Sequence, residues 1–596
     1  MKALFFSPFA NIWDHSFPEG LVAEAVRERG FNVAMVRCDG IFESFCVAMS
    51  ASGLTAQDAL AKKKQVCGAC RKRRDVLDET MNFPSMQLES FLTPDDYREA
   101  EEISSSVALE NWPELEIDGV PIGRYAAYEF LLNYKILGTS IPENLFPLYQ
   151  NQLRNSVLAF RGSERILATE QPDVVLTYNR LYGVNHAFLV VAERRGIPTY
   201  SLQGGGHVTH RAETMTMFRD SETLFGVFDS DSWRRFKGEP IDERQMSLVN
   251  SHFDGVMEAS SAFAYSSAFQ AAEPNATRER FNIPADAPVL LIPMSSEDEL
   301  NAAQLADLLP DTSHLPNLFE NQFEWIRYLF NFATTRPDYR FILRLHPRMF
   351  PNKRENVVAP VVERVMKLIE DAPENVAINM PSDDVSIYDL VQIVDVLLGY
   401  RSNVGAEFAA FGIPVVVPAN KDFFTYPSEI NRTGYSEKEY ARLIDDAVGE
   451  GWSIENMRIV YRWLAFLFTR IAVDFSDSVS AQPSAIRPKK PGFRLWLWRK
   501  MVFFIIQFGP LIRERIALRG RTSSDEAKDI FADVIEHGRS NLADSIVWKH
   551  STTSLDRETQ MLRERLGTLE KDRWGNFVSE KSLAATVSAY LATSAR

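Results

Sequence analysis

The stretch Val394-Asp-Val-Leu-Leu-Gly-Tyr-Arg-Ser-Asn-Val-Gly-Ala-Glu-Phe-Ala-Ala-Phe-Gly-Ile-Pro-Val-Val-Val417 reads as strand, helix and strand in quick succession. Val394–Gly399 is a short apolar run, Ser402–Phe411 has helical spacing opened by a good N-cap residue, and Pro414–Val417 is a second apolar run. Strands that alternate with helices at this spacing imply βαβ units and a parallel sheet.

The same grammar extends outward. Ala287–Pro293 and Arg340–Leu345 are strands, Gln322–Thr335 is a helix between them, and Ser386–Val391 begins another. Earlier in the chain, Lys2–Phe6, Phe31–Val36, Pro172–Thr177 and Pro198–Leu202 read as strands. Helices are expected at Phe17–Arg29 and Asn185–Arg195. The expected fold is α/β, with two Rossmann-like parallel-sheet domains facing a cleft and a helical C-terminal tail. The first domain would span 1–270, with a mainly helical insertion at 80–150, and the second 280–455. A crossover helix at 456–480 and a tail at 481–596 would follow. The 596 residues can bury several cores, and 45% apolar with 24% charged residues is ordinary for a folded chain.

Ligands in open parallel sheets sit beyond the carboxyl ends of strands, so the residues after each strand are the candidates. His346-Pro347-Arg348 follows Arg340–Leu345. One imidazole between the guanidiniums of Arg344 and Arg348 suits a phosphate, because arginine forks match phosphate oxygens; a solvated surface loop is the alternative. Ser402, Asn403 and Glu407 open the helix after Val394–Gly399. A helix N-terminus offers free N–H groups to an anion, and Glu407 could accept from a sugar hydroxyl. An ordinary capped core helix would look the same. Ser295 and Ser296 precede Glu297, Asp298 and Glu299, a set that suits donor hydroxyls or an acidic first helical turn.

In the first half, Asn179 and Arg180 follow a strand. Gln203-Gly204-Gly205-Gly206-His207 follows another and reads as a substrate loop or as a flexible one. Asp14 and His15 stand after Lys2–Phe6, where either could serve as a general base or simply open a helix.

In order, His346-Pro347, Ser386–Leu390, Tyr400–Glu407 and Gly412–Val416 resemble the donor half of GT-B glycosyltransferases that build bacterial capsules and other surface polysaccharides, the capsule Kdo transferases among them. Ser295–Glu299, Asn179-Arg180 and Gln203–Gly206 are similar to other loops of that family. The resemblance implies a nucleotide-sugar donor bound in the interdomain cleft without a catalytic metal, with His346 catalytic. It also implies a glycan or lipid-linked acceptor met by Asn179, Arg180, Gln203, Gly204, Gly205 and His207. Arg401 and Gln203 depart from the family pattern, Arg401 standing where a Ser is usual and Gln203 where an acid is common.

All four cysteines, Cys38, Cys46, Cys67 and Cys70, fall within a short span. That clustering suits a structural zinc or an iron–sulfur cluster, or four reduced thiols.

The net charge of −15 argues against nucleic acid as a partner. Between Arg487 and Arg521, however, ten Lys and Arg face Glu514 alone, a local +9 that leaves −24 elsewhere. Trp496 and Trp498 beside these cations suit an amphipathic segment on an anionic membrane surface, with a docking helix as the alternative. No window is apolar and long enough to span a bilayer, and the N-terminus lacks a signal-peptide pattern. Together these readings give a glycosyltransferase in the cytoplasm, peripheral to the inner face of the plasma membrane. A nucleotide-sugar epimerase and a non-catalytic glycan-assembly or export protein are its rivals.

Overall fold

The computed structural model describes residues 1–211, 213–259, 265, 267–270, 272–352, 357–474, 525–547 and 550–572. Thirteen strands among these residues form two sheets. They are β1 (Lys2–Phe6), β2 (Asn32–Arg37), β3 (Ser85–Gln87), β4 (Val174–Tyr178), β5 (Thr199–Gly204), β6 (Thr214–Arg219), β7 (Val289–Pro293), β8 (Arg340–Arg344), β9 (Val376–Asn379), β10 (Val396–Leu398), β11 (Val415–Pro418), β12 (Arg432–Gly434) and β13 (Ala472–Asp474). The helices used below are α1 (Trp13–Glu28), α2 (Leu60–Met81), α3 (Pro94–Ser106), α4 (Ile122–Tyr134), α5 (Phe146–Glu170), α6 (Gly183–Arg194), α7 (Asp298–Leu305), α8 (Gln322–Thr334), α9 (Val404–Ala409), α10 (Ile454–Phe466), α11 (Asp525–Glu536) and α12 (Leu555–Asp572).

The first sheet has the order β13-β6-β5-β4-β1-β2-β3, and the second β12-β11-β10-β7-β8-β9. The second is parallel throughout; the first is parallel from β5 to β3, with antiparallel β6 and β13 on one edge. This is a GT-B-like α/β architecture of two Rossmann-like units plus C-terminal helices. The central strands read as continuous apolar runs because helices cover both of their faces. Ala3–Phe6 and Val289–Ile292 are fully buried.

The expectation for Gln203–Gly206 needs correction. β5 continues through Gln203 and Gly204 and then turns into β6, with the Gly205 N–H donating to Thr214 O at 2.9 Å. A Cβ on Gly205 would lie 2.1 Å from Thr214 Oγ1, so the glycine serves the hairpin's close approach.

The sequence places residues beyond 480 outside both halves. Residues 525–572 instead pack onto them. α11 adds Ala527, Phe531, Val534 and Ile535 to the core beneath α1. α12 packs Met561, Leu562 and Leu566 against α10 and its neighbours. Its Glu558 is fully buried and accepts from Arg458 Nε at 3.1 Å and Arg462 Nη2 at 2.6 Å. The basic segment 487–521, expected on a membrane, lies outside the described residues. Among the described residues no helix is long and apolar enough to cross a membrane.

Candidate active site

The two halves meet at the carboxyl edge of the second sheet. α4 packs on α7, and Ala302, Ala303 and Ala306 join the first half's core. Lys135, buried just past α4, donates through Nζ to Arg348 O at 2.6 Å and Val357 O at 2.9 Å. A lysine deep in a protein must satisfy its ammonium, and here two carbonyls of the opposite half do so.

His346 follows β8 and is half-buried. Its Nδ1 accepts the Arg348 N–H at 3.2 Å, so a neutral ring carries its proton on Nε2. Burial pulls its pKa down to about 4, with Arg348, Arg344 and Lys135 adding to the effect and Asp298 opposing it. At neutral pH His346 is therefore an uncharged N–H donor rather than a cation.

The two arginines beside it are already engaged, which corrects the picture of two open forks. Arg344 is buried and donates to Asn379 Oδ1 and to Val385 O. Burial lowers its pKa to about 10. Arg348 pairs with Asp298 through Nε at 2.9 Å and donates to the Tyr265 hydroxyl at 2.6 Å. The acidic run after β7 thus includes one partner of Arg348, and Ser296 donates to that same Asp298. Ser295 is buried, its N–H donates to Gln322 Oε1 on α8 at 2.6 Å, and its Oγ has no partner among the described residues. Orphaned buried hydroxyls are uncommon and mark a place where a ligand or water is wanted.

After β10, the Ser402 Oγ accepts the Val404 N–H at 3.3 Å and so caps α9. Asn403 is exposed. Glu407 accepts from the Tyr388 hydroxyl at 3.0 Å, and burial raises its pKa. Arg401, set aside as a departure from the family pattern, lies over the Tyr400 ring at 4.9 Å and 3.5 Å from Asp422. Its charge opposes the upward shift that burial gives Glu297. Arg401 thus brings a cation to the loop before α9.

In the first half, His15 stacks on Tyr178 with ring centroids 4.0 Å apart, and burial followed by the nearby Arg211 lowers its pKa to about 4. Asp14 is exposed. One turn along the same face of α1, Glu19 is buried and accepts the Tyr178 N–H at 3.2 Å. Burial pushes its pKa up to about 7, against the pull of Ser7 and Arg37. A buried carboxyl titrating near neutrality at the carboxyl ends of β1 and β4 is a stronger acid–base candidate than Asp14. The sequence reading missed it because an acid inside the apolar run of α1 carries no local signal.

Of the remaining acceptor-side candidates, Gly204 reaches this site: its N–H donates to the hydroxyl of Tyr178, the ring on which His15 stacks, at 2.9 Å. Asn179 adopts φ +61° and its Oδ1 accepts the Leu181 N–H at 3.1 Å. Arg180 is buried in an ion pair with Glu193 and donates to Asp220 O, which places its guanidinium by the amino end of β5. Gly204 closes β5. His207 is buried against His252 and Phe468, its Nε2 3.0 Å from Leu248 O.

The four cysteines share one region, and Cys38, Cys67 and Cys70 each influence the others' titration or Cys46's. Burial pushes Cys38 up to about 12 and raises the other three. Among the described residues no group of three or more His, Cys, Asp or Glu is arranged to hold a metal ion. The expectation of zinc or an iron–sulfur cluster therefore gains no support from the geometry.

No family model matches the chain, and neither does any curated protein. Among solved structures it is similar to the UDP-GlcNAc 2-epimerase from Neisseria meningitidis bound to UDP-GlcNAc, at 11% identity over 78% of this chain and 94% of that one, TM-score 0.23. It is also similar to a putative UDP-N-acetylglucosamine 2-epimerase from Listeria monocytogenes, at 10% identity over 82% and 99%, TM-score 0.23. A third is the β-Kdo 2,4-transferase of Thermosulfurimonas dismutans KpsC, at 12% identity over 49% and 80%, TM-score 0.29.

Proposed function

We propose that the protein is a glycosyltransferase that moves a sugar from a nucleotide-sugar donor to a glycan or lipid-linked acceptor at the cytoplasmic face of the membrane. The observation that carries this reading is the set of polar groups at three adjacent strand ends of the second sheet: Ser295 after β7, His346 after β8, and Arg401, Ser402 and Glu407 after β10. The Ser295 hydroxyl and the His346 Nε2–H donate to oxygens of the departing phosphate, and Arg401 supplies positive charge there. Glu407 accepts from a ribose or sugar hydroxyl. Such donors, fixed in place before reaction, stabilise charge as it develops on the leaving group. On the facing half, Glu19 takes the proton of the acceptor hydroxyl, with His15 beside it. The +9 segment Arg487–Arg521 supplies the attraction to anionic lipid.

Incubation of the purified chain with a panel of radiolabelled nucleotide sugars, with and without bacterial membrane glycolipid, tests the proposal. Label passing to the glycolipid supports it. An altered sugar still attached to its nucleotide, formed without acceptor, replaces it with the epimerase reading. Binding without turnover replaces it with a non-catalytic role.

A further inference from the structure

By chain order α7 belongs to the second half, since it follows β7, yet its apolar side lies in the core of the first. Ala302 and Ala306 are buried there, with Ala303 and Leu308 beside them. The polar residues of this segment divide between the two halves at three-residue intervals. Asp298 accepts from Arg348 Nε at 2.9 Å, both side chains being buried. Asn301 Oδ1 accepts the Gly138 N–H at 2.8 Å. Gln304 Nε2 donates to Asp422 Oδ1 at 2.9 Å. Asp307, just past the helix, meets both terminal nitrogens of Arg124, at 3.0 and 2.7 Å. Asp298 and Gln304 thus bond to the second half, Asn301 and Asp307 to the first.

The two second-half contacts lead to groups placed above at the leaving phosphate. Arg348, held by Asp298, donates its backbone N–H to His346 Nδ1 at 3.2 Å and so keeps the ring proton on Nε2. Asp422 is buried beyond the end of β11. One of its oxygens accepts from Gln304 and from the Thr312 hydroxyl at 3.2 Å; the other stands 3.5 Å from Arg401 Nη2. A buried carboxylate depends on its partners, so Gln304 and Thr312 fix the plane of Asp422, and that plane sets where the Arg401 guanidinium sits. Arg401 Nε has no partner among the described residues, a donor left for a ligand.

We propose that α7 couples the two halves: seated in the first, it positions His346 and Arg401 of the second, so that the grip of the donor-phosphate site depends on the acceptor-side unit. Asp298 and Gln304 are positioning residues, acting through Arg348 on His346 and through Asp422 on Arg401. The inference rests on the phosphate site of the function proposed above. Movement of one half against the other cannot spare these contacts. Either α7 leaves the first half's core, or it carries Asp298 and Gln304 away from Arg348 and Asp422.

The test measures binding of inorganic pyrophosphate to the full chain by calorimetry at low ionic strength. Gln304→Ala should weaken binding roughly tenfold, as loss of a hydrogen bond to a charged group does. Ala302→Leu overpacks the contact with the first half and touches no group of the phosphate site, and it should weaken binding in the same way. Asn301→Ala removes the Gly138 bond without added bulk; it should act in the same direction and serves if Ala302→Leu does not fold. On top of Arg401→Lys, which keeps the charge but not the guanidinium that Asp422 orients, Gln304→Ala should cost little more. A general loss of stability would cost the same in both backgrounds. Binding unchanged by Gln304→Ala, binding unchanged by the folded variants at the first-half contact, or an equal Gln304→Ala loss with Arg401→Lys overturns the proposal. A parent chain that does not bind pyrophosphate overturns it together with the phosphate site. The expected pattern in a chain that transfers no sugar leaves the coupling standing and removes the transferase reading.

Discussion

Replacing Glu19 by glutamine separates a residue kept for function from one kept for packing. Gln is nearly isosteric, and its Oε1 can still accept the Tyr178 N–H that Glu19 accepts at 3.2 Å. What changes is titration. Burial holds the Glu19 carboxyl near 7 rather than its ordinary 4.5. Between those values the folded chain keeps a proton that the unfolded chain has released, so the native state binds more protons and stability falls as pH rises. The fall ends above about 7, where both states are ionised, and it amounts to about 3 kcal/mol. Glu19→Gln does not titrate, so its stability relative to the parent chain should climb by about that amount between pH 4 and pH 8. Urea unfolding followed by tryptophan fluorescence at both pH values measures it. In turnover, the same substitution should cost about two orders of magnitude and remove a limb near pH 7 from the kcat/KM profile. A stability difference that is flat with pH would refute the assigned titration. Normal turnover with the expected stability slope would make Glu19 a buried acid with no part in the reaction.

Three further outcomes follow from the geometry. His346→Ala should cut turnover by about two orders of magnitude or more with the circular dichroism spectrum unchanged; near-normal turnover removes the Nε2–H from the mechanism. Glu558→Gln removes the carboxylate that Arg458 and Arg462 share, and should cost about 3–5 kcal/mol in urea unfolding and speed hydrogen exchange along Leu555–Asp572; unaltered exchange there would mean that α12 is held by its apolar face and its Arg557 and Arg565 ion pairs without Glu558. Deleting Arg487–Arg521 should abolish salt-sensitive binding to anionic vesicles, and a parent chain that ignores such vesicles at low salt disproves the membrane assignment.

Legibility in the sequence followed burial. Lys2–Phe6, Arg340–Leu345 and Pro414–Val417 were visible because strands covered on both faces are unbroken apolar runs, and the structure places β1, β8 and β11 there. Strands at or next to the sheet edges carry no such signal. Ser85–Gln87 and Ala472–Asp474 at the edges, and Thr214–Arg219 beside one of them, are short or mixed in polarity, and only the neighbouring strand makes them strands. The loops bearing Ser295, His346 and Ser402 were legible by the same logic, since each follows a readable strand. Their partners were not. Arg344 is tied to Asn379, its register partner at the end of β9, and Arg348 to Asp298 at the start of α7, pairings that only the assembled sheet edge brings together. Glu19 owes its titration to β1 and β4, which nothing within α1 announces.

The C-terminal region shows how composition and topology divide the labour. Sequence charge sets Arg487–Arg521, which lies outside the described residues, apart from its surroundings, but treating everything after 480 as one tail overlooks the contacts that precede and follow it. On one side, β13 pairs with β6 at the edge of the first sheet, ending at Asp474. On the other, α11 packs on α1 of that same unit, with Lys528 reaching Glu28 at 2.6 Å and Arg29 reaching Asp529 at 2.6 Å. The described chain on either side of residues 475–524 thus belongs to the half that carries Glu19, and α12 returns to α10 through the buried Glu558. Removing Arg487–Arg521 leaves β13 and α11 in the chain, so the vesicle experiment tests the basic stretch without removing either contact to the first sheet's unit.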